Sequence, residues 1–490
     1  MKTSLLSHAS SIAERLSRSI DLAGAALALG ALVMVGLRAA LRLELRWDTF
    51  AYHLPFAARR AGLGIPYDFL PYMQACYQGF PPLPELVQGL LWRLTGSINA
   101  TGVANYLALL LFLYFAWRRL GARLWIVVLM CLTAPLVLIH AASSYVDLFS
   151  NAFLAIGVTA FLAMCLFDRW LDRKLLLWAL VGMAAAAWSK YSTLPTVLLL
   201  FIGYIGVYAV RASNPRARAL LRWVCIALLV ALLPSLKNIA LYHNPTWPGG
   251  IPALAKVFPS LMDTGSIRAL QSPPPLKDAS QPVLFFHSLF EIDHPTSYAY
   301  RERWIIDQGS AWIAYRSGGF WVVGVITAAL AAVLLGFLST PRHGFTLAAA
   351  IGTMWCITSV LPQSHELRYF QFLPLSAAGL VAMMLPRVRA RYPATALVVS
   401  CLILGEFIWA AKVNRNYYHV EKVGYTRAAQ VYETARIWPS LERGKTYCAV
   451  GFAPAGFLLT GPTMHEFHII DRMDDTLCPP NVTVLRKSDW

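Results

Sequence analysis

Long apolar runs separated by short polar loops make up most of the sequence. A helix needs about 20 apolar residues to cross roughly 30 Å of hydrocarbon, and in lipid only helices and closed barrels satisfy their own backbone hydrogen bonds. The runs lie near residues 20–41, 101–117, 124–142, 148–166, 175–189, 193–210, 222–240, 319–338, 345–361, 369–385 and 393–411. They predict an all-α polytopic membrane protein with about 11 transmembrane helices.

Residues 82–95 are apolar on one side only. Leucine and valine side chains recur there at helical spacing, while Glu85, Gln88 and Arg93 occupy the remaining positions. The segment is short for a span, and it begins after Pro81-Pro82, which suits a helix start. It predicts an amphipathic helix lying on the outer membrane surface. A short, tilted span is the alternative, and it would invert every later loop.

Charge predicts the orientation of the chain. The net charge is +17, with 57% hydrophobic and only 14% charged residues, whereas soluble proteins have about 25% charged residues. The cations lie in short loops between apolar runs, which indicates orientation rather than nucleic-acid binding. If residues 82–95 do not cross, alternate loops hold the basic clusters at 118–123, 169–174, 211–222, 342 and 387–391. The N-terminus is therefore predicted to be cytoplasmic.

The predicted membrane domain covers residues 1–411. Its outer side receives the long loops 42–100 and 241–318, and a small C-terminal region, 412–490, is predicted to be extracytoplasmic. Cys448 and Cys478 lie in that region, where the sequence is consistent with either a disulfide or two free thiols. The excess of Arg over Lys, with abundant Ala and Leu, suggests a bacterial GC-rich genome. We expect a multi-pass protein of the bacterial inner membrane.

Asp48 is the first candidate for chemistry. It follows the first span, and Tyr52 and His53 lie near one face with it if a helix begins there. A carboxylate at the membrane rim can take a proton from an acceptor hydroxyl. The alternative is a helix N-cap, a common role for Asp before an amphipathic helix.

Three further charged residues lie at predicted outer ends of spans. Asp147 precedes the fourth span, where it is either a functional carboxylate or an N-cap. Lys190 and Lys237 lie where the positive-inside rule predicts few cations. Each lysine could pair with a phosphate or with Asp147, or extend to the interface without a partner.

Residues 363–369 join two predicted spans on the outer side. Arg368 is suited to bidentate binding of phosphate oxygens, and Tyr369 can donate a hydrogen bond. His365 and Glu366 could bind a divalent metal together with Asp48, although no spacing requires it. The sequence therefore leaves a metal cofactor open.

The order of these pieces resembles the GT-C class of integral-membrane glycosyltransferases, which use polyprenyl-phosphate-linked sugars. The pieces are Asp48 with Tyr52, Phe80-Pro81-Pro82-Leu83, Asp147, Lys190-Tyr191-Ser192, Leu236-Lys237-Asn238 with Asn244-Pro245-Thr246-Trp247-Pro248, and Glu366-Leu367-Arg368-Tyr369 with Pro374. They extend from about residue 20 to 385. The sequence looks most similar to the bacterial branches related to lipid A aminoarabinose transferases and protein O-mannosyltransferases.

The resemblance implies transfer of a sugar from a polyprenyl-phosphate donor to an extracytoplasmic lipid, glycan or protein acceptor, with inversion. It implies Asp48 as catalytic base or acceptor ligand, Asp147 as a second acidic site, and Arg368 with Tyr369 near the donor phosphate. We expect the other candidates to bind substrate, namely Tyr52, His53, Glu85, Lys190, Lys237 and Glu366. Several members of the class carry two adjacent acidic residues in the first loop, whereas Thr49 follows Asp48, which puts a metal between paired acids in doubt.

A lipid-linked glycan polymerase or ligase, or a flippase, is the alternative function. A transporter would more often place charges near the bilayer midplane and show inverted repeats, and neither is evident in the sequence. A purely structural membrane subunit would leave Asp48, Asp147, Lys190 and Arg368 unexplained.

Overall fold

The structure is a computed structural model that describes residues 2–250, 254, 256–261, 276, 278–292, 318–452 and 455–487. The predicted outer loop 241–318 therefore falls partly outside the described residues. Helices form most of the described chain, and four short strands form one sheet.

The helices are numbered in chain order. They are α1 Lys2–Leu41, α2 Leu54–Arg60, α3 Pro71–Gly79, α4 Leu83–Thr95, α5 Val103–Leu120, α6 Leu124–Thr133, α7 Pro135–His140, α8 Asp147–Phe167, α9 Arg173–Ala187, α10 Leu194–Val210, α11 Pro215–Tyr242, α12 Gln281–Leu289, α13 Val322–Ser339, α14 Pro341–Val360, α15 Phe372–Arg389, α16 Pro393–Val413 and α17 Tyr425–Val431. The strands are β1 Tyr67–Asp68, β2 Thr446–Val450, β3 His468–Arg472 and β4 Thr483–Arg486.

Among the described residues, nine helical stretches are long and apolar enough to cross a membrane. Each corresponds to a predicted span, so the polytopic helical membrane fold is confirmed. The other two predicted spans are shorter. Residues 124–142 divide into α6 and α7 because Ala134, which precedes Pro135, has an extended backbone. Residues 175–189 correspond to α9, which has 15 residues, so the predicted count of eleven is not confirmed.

The predicted basic loops meet at one end of the helix bundle. Asp21 of α1 pairs with Arg123 before α6, and its other oxygen lies 3.1 Å from Arg389 Nη1 at the end of α15. Arg169 Nη1 donates to the backbone oxygen of Arg119 over 3.2 Å. Asp48, Asp147, Lys190 and Arg368 lie at the opposite end, called the site end below. The basic loops and the candidate site residues thus lie at opposite ends of the bundle, as the predicted orientation requires. That the N-terminus is cytoplasmic stays a prediction.

Helix α4 is the amphipathic helix that the sequence predicts, and its polar side faces inward. Glu85 and Gln88 are 3% and 1% exposed, whereas Leu94 is 82% exposed. A Cβ on Gly89 would lie 2.1 Å from the Ala57 backbone oxygen, so only glycine permits this contact with α2. An apolar exposed face and a polar buried face suit a helix placed between lipid and a polar site, and its position in the membrane interface stays a prediction.

The C-terminal region shares a core with residues 42–100. The strands form a parallel sheet in the order β1-β3-β2-β4, in which β1 comes from the first long loop and the others from the C-terminal region. Phe56, Tyr67, Phe457 and Ile469 belong to one buried hydrophobic cluster. Cys448 and Cys478 form a disulfide, which decides between the two alternatives for these cysteines. The C-terminal region thus packs directly onto the chain segment that holds Asp48.

Asp471 is buried in this shared core. It is 2% exposed, and its Oδ2 accepts a hydrogen bond of 2.8 Å from the Tyr67 hydroxyl on β1. Burial raises the pKa of Asp471 to about 6, although the Tyr67 bond and Arg472 act in the opposite direction. The neutral carboxyl is therefore the better-tolerated form between β1 and β3.

We expect Asp471→Asn to change how the stability of the protein depends on pH. The folded state binds this proton more tightly than the unfolded state, so the stabilisation is complete below about pH 4 and is lost as pH rises through about 6. The difference from the ordinary pKa of 3.8 corresponds to about 3 kcal/mol. Thermal unfolding at a series of pH values should show that the stability of the variant increases relative to that of the wild type as pH rises. Glu421→Gln, at an exposed position, is the control, and a constant difference between Asp471→Asn and wild type would contradict the assignment.

Candidate functional site

Arg368 is the centre of a buried polar cluster at the site end. It lies in a 3-10 turn, Leu367–Phe370, between α14 and α15, and is 3% exposed. Its Nη1 lies 3.1 Å from Asp48 Oδ2, and its Nε lies 3.2 Å from Glu366 Oε2. Its Nη2 donates to the Tyr369 hydroxyl over 2.9 Å. One guanidinium therefore joins the first loop to the segment before α15, and the structure brings four predicted site residues together.

Asp48 immediately precedes a π-helix, Thr49–His53, which leads into α2. Its side chain caps no backbone N–H, so the N-cap alternative is not observed. π-helical turns are rare and occur frequently at functional sites. The carboxylate is instead held by Arg368, and the residue is 7% exposed.

Asp147 and Lys190 form a second carboxylate–cation pair. Asp147 is the first residue of α8, after the N-cap residue Val146, and is 2% exposed. Lys190 Nζ contacts its Oδ1, so this lysine is paired rather than extended towards an interface. Burial lowers the pKa of Lys190, while the nearby Asp147 charge acts in the opposite direction. The pair connects the turn before α8 with the turn between α9 and α10.

Tyr369 bridges the two pairs. Its ring centroid lies 3.8 Å from Lys190 Nζ and 4.9 Å from Arg368 Cζ. Cations over an aromatic face are attracted by the ring quadrupole. Because the same residue also accepts a hydrogen bond from Arg368, the two pairs form one continuous cluster.

Aromatic and imidazole rings form one side of the cluster. The His53 ring centroid lies 4.2 Å from that of Tyr52 and 5.3 Å from that of Tyr145, and His140 lies 5.5 Å from Tyr145 on the other side. His140 Nδ1 is 4.0 Å from Asp147 Oδ2. Burial, followed by the Asp48 charge, raises the pKa of Tyr52 well above its ordinary value. Tyr52 therefore stays protonated as a hydrogen-bond donor.

Helix α4 contacts the cluster through Glu85 and Gln88. Glu85 Oε1 lies 3.6 Å from His53 Nδ1. Gln88 Nε2 donates to the Ser144 backbone oxygen over 2.7 Å, which fixes the turn that leads to Asp147. The predicted amphipathic helix thus positions parts of both acidic segments.

Lys237 lies apart from the carboxylates. It is exposed, and its Nζ donates to the backbone oxygen of Gln78. The adjacent Asn238 donates to the Gly79 backbone oxygen over 3.0 Å and to the Tyr191 hydroxyl over 2.7 Å. These contacts order the turn before α4, and a substrate contact of Lys237 stays a prediction.

The sequence-based metal hypothesis finds no matching ligand set in the described part of the chain. No group of three or more His, Cys, Asp or Glu side chains is placed there to hold a metal ion. Asp48 and Glu366 are directed at Arg368, and His365 Nδ1 lies 3.4 Å from Gln281 of α12. The Arg368 guanidinium lies between the carboxylates of Asp48 and Glu366.

Sequence reasoning did not assign His140, Tyr145 or Gln88 to the site. His140, the last residue of α7, and Tyr145, between α7 and α8, are each 0% exposed. The available signal was a histidine near the end of an apolar run, since ionisable groups in such runs are rare. Nothing in the sequence indicated that Gln88 belongs to the site, because a polar residue on an amphipathic helix is ordinarily expected to face solvent.

Comparison with known proteins gives a likeness of fold. No family model and no curated protein sequence matches the chain. The crystal structure of ArnT from Cupriavidus metallidurans bound to undecaprenyl phosphate is similar, with a TM-score of 0.52 at 16% identity, over 96% of this chain and 90% of that one. The apo structure of the same protein gives 0.51 at 16% identity, over 94% and 88%. The predicted polytopic helical membrane fold is thereby confirmed, and it is similar to the fold of these two ArnT structures.

Proposed function

We propose that the protein transfers a sugar from a polyprenyl-phosphate donor to an extracytoplasmic acceptor with inversion. The observation that carries the proposal is the presence of two ion pairs, Asp48–Arg368 and Asp147–Lys190, which Tyr369 joins at one end of a membrane helix bundle. The fold likeness supports it, because the ArnT structure holds undecaprenyl phosphate, and we extend that class of ligand to this chain.

The leaving group sets the role of the cations. A polyprenyl phosphate departs with negative charge as the sugar–phosphate C–O bond breaks. Arg368 and Lys190 would stabilise that charge most strongly in the transition state, which is the condition for catalysis by binding. Arg368 offers a planar fork that suits phosphate oxygens.

The carboxylate takes the acceptor proton. The acceptor hydroxyl oxygen forms the new bond to the anomeric carbon on the face opposite the leaving phosphate, and its proton goes to Asp48. In the described structure Asp48 is paired with Arg368, so its Oδ2 is already engaged by the guanidinium. A donor phosphate that draws Arg368 away would free the carboxylate, so donor binding would activate the base.

A direct assay tests the proposal. The protein in lipid nanodiscs is given undecaprenyl-phosphate-linked hexoses and pentoses with lipid, glycan and peptide acceptors, and products are identified by mass spectrometry. We expect a glycosylated acceptor whose anomeric configuration, determined by NMR, is opposite to that of the donor.

The alternative functions give different results. Repeated addition of units would indicate a polymerase. In sealed vesicles, movement of the lipid-linked sugar across the bilayer without transfer would indicate a flippase and contradict the proposal.

A further inference from the structure

On α4 and at the start of the π-helix, three buried polar atoms have no hydrogen-bond partner among the described residues. They are Thr49 Oγ1, Glu85 Oε2 and Gln88 Oε1. The residues are 0%, 3% and 1% exposed, respectively. Buried polar groups are ordinarily paired, and a few unpaired ones require a specific explanation.

The fold places these residues on two contacting elements, α4 and the π-helix Thr49–His53. Glu85 and Gln88 are three residues apart on α4 and therefore share a face. Thr49 follows Asp48 in the π-helix that ends at His53, and His53 Nδ1 lies 3.6 Å from Glu85 Oε1. Gln88 uses its amide nitrogen on the Ser144 backbone oxygen, which leaves its carbonyl oxygen unused. Thr49 is thus adjacent to Asp48, and Gln88 contacts the turn that leads to Asp147.

The chemistry of the atoms selects the part of a substrate that would fit them. A carboxylate oxygen and an amide carbonyl only accept hydrogen bonds, and a threonine hydroxyl can do either. An ionised phosphate and a polyprenyl chain have no donor to offer. A saccharide ring carries several hydroxyl donors, and each would satisfy one of these acceptors.

We propose that Thr49, Glu85 and Gln88 form a subsite that binds the hydroxyl groups of a saccharide. The inference rests on the proposed function, and it names the part of the substrate that these three residues bind. The saccharide is either the sugar being transferred or a sugar acceptor, and both present the same hydroxyl chemistry.

Glu85→Gln tests the subsite with little change of shape. Wild type and variant are compared on an undecaprenyl-phosphate sugar that supports transfer and on its single-deoxy analogues, and the same series is run on a sugar acceptor. A site built to bind a hydroxyl rejects the analogue that lacks it. We expect the wild type to favour the full sugar at least about tenfold in kcat/KM over one analogue, and this ratio to fall towards one in the variant. The series in which the ratio falls identifies donor or acceptor as the source.

The controls separate a binding role from a structural one. Glu442→Gln, an exposed substitution paired only with Lys445, should leave every ratio unchanged. The KM of Glu85→Gln should rise more than its kcat falls, and its thermal unfolding should match the wild type. An unchanged ratio in both series would mean that the atoms bind water only and would overturn the proposal.

A second measurement does not depend on catalysis. Isothermal titration with methyl glycosides of glucose, mannose and arabinose should show saturable binding to the wild type that is lost in Glu85→Gln and Glu85→Ala. If no donor supports transfer but this binding is seen, the proposed function fails and the subsite stands. If transfer is seen and the glycosides bind wild type and variants alike, the subsite fails and the function stands.

Discussion

Asp48→Asn should abolish glycosyl transfer while the protein still folds and inserts in the membrane. A positioned general base contributes about 10²- to 10⁴-fold to rate, and asparagine cannot accept the acceptor proton. The fold should survive because Arg368 keeps Glu366 as a partner at 3.2 Å and Tyr369 at 2.9 Å. Initial rates in nanodiscs, with thermal unfolding on the same preparations, measure both effects.

Asp68→Asn is the matched control for this substitution. Asp68 lies in the same loop on β1, but its side chain is 48% exposed and pairs with Arg59 and His468. Its loss should leave the rate within about twofold, since exposed ion pairs contribute little. An Asp48→Asn protein that transfers sugar at a rate near that of the wild type would remove Asp48 from the base role.

Arg368→Met should lower the stability of the protein and abolish transfer together. Methionine fills similar space but removes the guanidinium that Asp48 and Glu366 contact. Breaking a buried pair by removing one partner costs about 3–5 kcal/mol. The thermal unfolding temperature should therefore fall clearly below that of the wild type.

Two further variants separate charge from geometry at this position. Arg368→Met combined with Asp48→Asn and Glu366→Gln removes the uncompensated charges and should recover part of the lost stability without recovering activity. Arg368→Lys keeps the charge but loses the fork that reaches three groups, so it should be more stable than Arg368→Met and still inactive. A stable, active Arg368→Met protein would show that neither the ion pairs nor the phosphate contact depends on this residue.

Several elements were predictable from local pattern alone. Apolar runs predicted the membrane helices because a spanning segment must meet a fixed length and satisfy its own backbone. Helix α4 was predictable from its one-sided apolar spacing. The two departures have local causes: Pro135 interrupts the third predicted span, and α9 is shorter than its apolar run suggested.

Strand and core formation in the C-terminal region was not predictable. Strand β3 pairs with β1, which is about 400 residues earlier in the chain (Tyr67 pairs with Ile469). Such a pairing depends on long-range packing rather than local propensity. The partner of Cys448 was likewise open until the fold brought Cys478 to it.

The sequence by itself determined that this is a helical membrane protein and which charged residues are unusual for their positions, because hydropathy and charge act locally along the chain. Only the tertiary structure decided how those residues pair. Asp48 could have been a helix cap, and Lys190 could have extended to an interface, until packing placed Arg368 and Asp147 beside them. Burial makes such pairing necessary, since a charge removed from water needs an opposite charge or a hydrogen-bond partner. The same packing buried Glu85 and Gln88. The apolar spacing of α4 alone does not decide whether its polar or its apolar face is buried.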